Sequence, residues 1–102
     1  MRLSQEEVKQ IKQTFSDFLD GEVVQVFLYG SRTHDALKGG DIDLIWVVPE
    51  AKERELNIDK YKVLAALKTA IGDQKIDLGI LSQTTLKNHD FYAQVIEEAI
   101  QL

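Results

Sequence analysis

Asp41-Ile42-Asp43-Leu44-Ile45-Trp46-Val47-Val48 is rich in β-branched and aromatic residues and follows the turn signal Lys38-Gly39-Gly40, so a strand is predicted over 41–48. In a strand, residues i and i+2 share a face. Asp41 and Asp43 therefore project side by side, while Ile42, Leu44 and Trp46 face a core. Two carboxylates placed so close are costly: at an effective dielectric of about 20, charges roughly 4 Å apart repel by about 4 kcal/mol. Such a pair is tolerated when one carboxyl is protonated, when water reaches both, or when a hard cation sits between them. The cation gives the pair a chemical purpose.

Moving outward, 23–29 (Val-Val-Gln-Val-Phe-Leu-Tyr) reads as a strand ended by Gly30, with Ser31 suited to cap a short helical turn. Upstream, Ser4 with Glu7 three residues on forms a capping-box pattern. Val8, Ile11, Phe15, Phe18 and Leu19 then recur at helical spacing until Asp20-Gly21. Downstream, the apolar spacing from 57 or 59 to 71 predicts an amphipathic helix stopped by Gly72, and 75–81 reads as a third strand. The run 50–55 reads as a solvated loop or a ragged helix start, and 90–101 as a closing helix. The order α-β-(short α)-β-α-β-α describes an α/β (α+β) fold: a small mixed sheet of three or more strands with helices packed on it.

The third strand repeats the local pattern, Lys75-Ile76-Asp77-Leu78-Gly79. If it neighbours the second strand, Asp77 joins Asp41 and Asp43 on one side. Three carboxylates suit Mg²⁺, which completes its shell with water and phosphate oxygens. Gly79 shares the face of Asp77 and is expected to leave room there for a substrate. Gly30-Ser31 supplies the complementary half, since glycine lets the backbone approach closely and helix-start amides with a hydroxyl hold phosphate. Phosphate grip beside paired metal ligands is the arrangement that two-metal phosphoryl or nucleotidyl transfer requires.

Composition bounds the alternatives. The 102 residues, 44% hydrophobic and 28% charged, read as one soluble domain spanning 1–102. No run is apolar enough to span a bilayer, no apolar leader follows Met1, and the absence of cysteine rules out disulfides and thiolate metal sites. A cytoplasmic location is expected, with no membrane partner. The net charge of −5 leaves little from which to build a basic face, so long nucleic acid is not expected as a partner.

Tyr29-Gly30-Ser31, a gap of nine residues, Asp41-Ile42-Asp43-Leu44 and the later Asp77 on a strand resemble the signature of the DNA polymerase beta-like nucleotidyltransferase superfamily. The similarity is greatest to its minimal members, the MNT proteins, and covers nearly the whole chain. The resemblance implies the polymerase beta-like palm fold, with Gly30 and Ser31 at a nucleoside triphosphate such as ATP. It also implies Asp41 and Asp43 on two Mg²⁺ ions (Mn²⁺ serving as a substitute) and Asp77 on the one that activates the nucleophile. Many members carry Ala-Arg-Gly shortly after Gly-Ser. Here Arg32-Thr33-His34-Asp35 departs from that, leaving Arg32 as the candidate for the phosphate role. MNT proteins are commonly paired with a HEPN-domain partner as a toxin–antitoxin module, in which some transfer AMP to the toxin. The resemblance therefore implies a HEPN-like partner protein, which would complete a site that this short chain cannot build alone. A homo-oligomer is a further option.

Each residue also has a plainer reading. Ser31 serves equally as a helix cap, Arg32 as a surface residue, and His34 and His89 as exposed loop residues. Asp35 fits turn chemistry, Tyr29 core or pocket wall, and Phe91-Tyr92 core plus rim. Three reactions or roles remain in competition: nucleotidyl transfer to a partner protein, an antitoxin that masks its partner without catalysis, and nucleotide transfer to a small molecule.

Overall fold

The computed structural model describes residues 3–22, 25–30 and 41–102. Helix α1 (Gln5–Phe18) starts at the predicted capping box: the Ser4 hydroxyl accepts from the Glu7 amide, and the Ser4 amide donates to the Glu7 carboxylate, each at 3.0 Å. It ends where Asp20 and Gly21 turn to positive φ, 54° and 84°. Strands β1 (Gln25–Tyr29) and β2 (Ile42–Val47) follow, then helices α2 (Glu50–Ile58) and α3 (Lys60–Ile71), and strand β3 (Ile76–Leu81). Two short helices, α4 (Gln83–Asn88) and α5 (Asp90–Val95), and strand β4 (Ile100–Gln101) complete the order.

The sheet runs β3-β2-β1-β4, with β2 parallel to β3 and β1 antiparallel to both β2 and β4. It is the expected mixed sheet with helices packed on it, an α/β architecture. One face carries Val26, Leu28, Ile42, Leu44, Trp46, Leu78 and Ile80 against Ile11 and Phe15 of α1 and Val63 and Leu67 of α3. At its centre the Trp46 and Phe15 rings stack at 4.2 Å, so Trp46 is core, as its place beside Ile42 and Leu44 predicts. The other face has a smaller cluster of Ile45, Val47, Leu81 and Leu86 with Phe27, Tyr29, Tyr92, Val95 and Ile96 packed on it. β2 is thus covered on both sides, which is why 44–48 is an unbroken apolar run.

Three local features differ from, or add to, what the sequence predicts. Residues 50–55 are not a loop: they open a regular helix, α2, so the helix-start alternative holds but the start is not ragged. Glu53 of that helix accepts from the Ser82 amide (2.7 Å) and the Thr85 hydroxyl (3.1 Å), and Asn57 donates to the Ile80 carbonyl (2.9 Å). α4 was not foreseen, although Ser82 caps it through the Thr85 amide. The closing helix over 90–101 is cut short at Val95. Residues 100–101 instead pair with Leu28 and Phe27, and the Leu102 amide donates to Val26, so the terminal segment covers the outer edge of β1. Val23 and Val24, the turn at 38–40 and the helical turn expected after Gly30 lie outside the described residues.

Candidate functional site

Strand register assembles the site. Asp43 lies opposite Tyr29 on β1 and opposite Asp77 on β3, so Tyr29, Asp43 and Asp77 form one row across three adjacent strands. The predicted neighbourhood of the second and third strands therefore holds. The next row on the same face is Phe27, Ile45 and Gly79, and the one after is Gln25, Val47 and Leu81. The row bearing the carboxylates is the last that spans all three strands at that end of the sheet.

Asp41 precedes β2 and is drawn toward the cation of Lys75, whose Nζ lies 3.5 Å from its Oδ2. The Ile42 amide donates to the Lys75 carbonyl at 3.0 Å, which continues the parallel ladder by one step and sets Lys75 opposite Asp41. Among the described residues no three His, Asp or Glu side chains converge as a ligand set; the structure brings Asp43 and Asp77 together and leaves Asp41 with Lys75. Ser31 and Arg32, the predicted phosphate contacts, lie outside the described residues, as do His34 and Asp35.

The electrostatics of the row follow from this placement. Burial, and then the charges of Asp77 and Asp41, hold the Asp43 carboxyl above the usual carboxylate range, while Lys75 acts in the opposite sense. Burial also pushes the Tyr29 phenol up, reinforced by Tyr92, Asp77 and Asp43, and pushes the Tyr92 phenol up with help from Asp77. Both phenols are therefore neutral hydrogen-bonding groups beside the acids. Asp43 is thus crowded by like charge, the condition under which a hard cation relieves repulsion.

Gly30 has a role that sequence reading placed elsewhere. Its φ is 76°, and a Cβ on it would run into the Asp43 carboxylate, with Cγ only 3.3 Å away. The missing side chain gives Asp43 its room, in addition to any close approach of phosphate. Gly79 also departs from expectation. A Cβ there would lie 2.9 Å from the Tyr92 hydroxyl and 3.0 Å from its Cζ, so the space is filled by Tyr92 and not open to a substrate. The order within Phe91-Tyr92 is reversed as well: Tyr92 packs on the smaller cluster, and Phe91 is 53% exposed.

Lys75 and Tyr92 were missed as site neighbours. A signal for Lys75 existed, because aligning Asp43 with Asp77 in a parallel register sets Lys75 against Asp41. Tyr92 arrives through the α4–α5 fold-back and has no comparable signature. Tyr29 packs on the smaller hydrophobic cluster, which favours the core side of its two expected readings.

A family model described as Nucleotidyltransferase domain matches residues 8–102, a span that takes in Gly30, Asp41, Asp43 and Asp77. A search of curated proteins returns no match. No helix of the described residues is long and apolar enough to cross a membrane.

Proposed function

The chain belongs to the nucleotidyltransferase domain family, whose members transfer nucleotidyl groups, and from that premise we propose Mg²⁺-dependent transfer of AMP from ATP to a hydroxyl on a partner protein, a HEPN-domain toxin being the expected acceptor. The observation that carries the reading is the register of Asp43 with Asp77, in a row where glycine at position 30 accommodates the Asp43 carboxylate. Asp43 and Asp77 would hold the divalent cation directly. Asp41 would join them by exchanging Lys75 for the metal, a low-cost exchange because the Lys75 side chain is 82% exposed and its ion pair is screened by water. The donor set is all oxygen, which fits Mg²⁺ and accepts Mn²⁺.

When bound, the cation pair neutralises triphosphate charge and lowers the pKa of the attacking hydroxyl. The protein's own contribution is placement. Gly30 and Ser31 at the end of β1 would hold triphosphate oxygens, with Arg32 as a further cationic contact. Asp77 on β3 would take the side of the acceptor hydroxyl, and Asp43 between them would serve both. In the transfer, the acceptor oxygen gives up its proton to water and bonds to the α-phosphorus, the bond to the oxygen bridging the β-phosphate breaks, and pyrophosphate leaves with the electron pair. The net charge of −5 supports a protein acceptor over long nucleic acid.

The test is incubation with Mg²⁺, ATP labelled at the α-phosphate and the product of any adjacent HEPN-like gene. Label is expected on the partner with wild-type protein and at background with Asp43→Asn. Neutralisation of the toxin that survives Asp41→Asn/Asp43→Asn, with no label transferred by the wild type, would overturn transfer in favour of masking.

A further inference from the structure

The α4–α5 segment roofs the face that bears Asp43 and Asp77, and it reaches their row only at Tyr29, through Phe91. Tyr92 lies over Gly79 in the second row, and the cluster around Leu86 covers the third. The edge of the roof nearest the acids is aromatic. Phe91 meets Tyr29 edge-on at 6.3 Å and Tyr92 edge-on at 5.1 Å, and His89 lies against Tyr92 at 4.7 Å.

Phe91 is half in water on a helix that buries none of its own residues. Of the exposed large apolar side chains Ile58, Tyr61 and Phe91, Phe91 is the one in ring contact with a residue of the carboxylate row. Its contacts with the two phenols fix its position without covering it.

Resting on the metal-and-triphosphate reading above, we propose that Phe91 is the stacking platform for the base of the bound nucleotide. Tyr29, which Phe91 touches, directly precedes Gly30 and is in register with Asp43, so Phe91 stands on the side of the row where the phosphates would be held. From Asp43 the ring is one strand spacing (about 4.8 Å) and one ring contact away across Tyr29, a gap of the order that a ribose bridges. An acidic chain has little cationic surface with which to hold a base, whereas an aromatic face binds any base through its π-surface and favours the larger purines.

The experiment compares binding of ATP and of inorganic triphosphate, each with Mg²⁺, to wild type, Phe91→Ala, Phe91→Trp and Asp43→Asn by titration calorimetry. Wild type is expected to bind ATP more tightly than inorganic triphosphate. Phe91→Ala should weaken ATP about tenfold or more and leave inorganic triphosphate within about twofold. Phe91→Trp should keep the preference and add a fluorescence change on binding ATP, distinguishable from Trp46, which is fully buried. Asp43→Asn should weaken both ligands. Equal affinities of Phe91→Ala and wild type for ATP would overturn the inference and leave the ring to the acceptor. Equal losses of ATP and inorganic triphosphate in Phe91→Ala would overturn it as well. A wild type that binds neither probe would overturn the metal-and-triphosphate reading itself.

Discussion

At the scale of single residues, Asp43 carries the conflict between stability and function. Its carboxyl is held above the usual range, so the folded state resists its ionisation. The sign follows from linkage: a raised folded pKa contributes stability below the unfolded value of about 3.9, and that contribution is lost as pH rises through the folded value. In chelator, wild type should lose stability relative to Asp43→Asn as pH rises above the unfolded value of about 3.9 and through the raised folded one. At neutral pH, Asp43→Asn should melt a few degrees higher, the size expected for about 1 kcal/mol or less at a partly solvated carboxylate. Added Mg²⁺ should raise the melting temperature of wild type, increasingly so with pH, and leave Asp43→Asn nearly unmoved. Melting curves across pH with and without Mg²⁺ check all three. Asp41, Asp43 and Gly30 were legible in sequence because their spacing implies a shared strand face and a backbone turn. The reason for Gly30 was legible only in part, since the carboxylate that needs its missing Cβ comes from the neighbouring strand.

At the scale of elements, α2 is the unexpected contributor. Its apolar content is too low for periodicity to reveal it, and Leu56 is its one buried residue. What α2 supplies is polar: Glu53 and Asn57 hold the end of β3 and the start of α4, from which the aromatic roof departs. Glu53→Ala leaves the Ser82 amide and the Thr85 hydroxyl without that acceptor in a half-buried setting, a loss of about 2 kcal/mol. Denaturant unfolding should show that loss. Amide hydrogen exchange should rise more over 83–95 than over α1, and Glu53→Gln, which keeps one acceptor oxygen, should recover part of it. β4 was mistaken for helix because Phe91, Val95, Ile96, Ala99 and Ile100 fit helical spacing as well as they fit a half-buried turn and strand. The unpaired edge of β1 decides the matter, by offering hydrogen bonds that a continued helix would not use.

At the scale of the whole molecule, the larger core holds the sheet against α1 and α3, and the carboxylate row depends on that platform. Phe15 is fully buried and stacked on Trp46, whose buried indole N–H has no hydrogen-bond partner among the described residues, so this contact is held by packing. Phe15→Ala should cost about 3–5 kcal/mol, a large part of the roughly 5–15 kcal/mol that domains of this kind possess. The midpoint of chemical denaturation should fall accordingly.

By itself the sequence determined the periodicities, the capping of α1, the mixed α/β class and the presence of carboxylates on one face of two strands, because each of these depends on residues close in the chain. Only the tertiary structure decided that Asp43 is in register with Asp77, that Lys75 takes Asp41, that Tyr92 occupies the space over Gly79 and that Phe91 stands exposed at the rim. Those relations depend on which strands pair and where α4–α5 folds back. Strand pairing and fold-back are settled by burial and edge hydrogen bonding across the whole molecule, which no local pattern encodes.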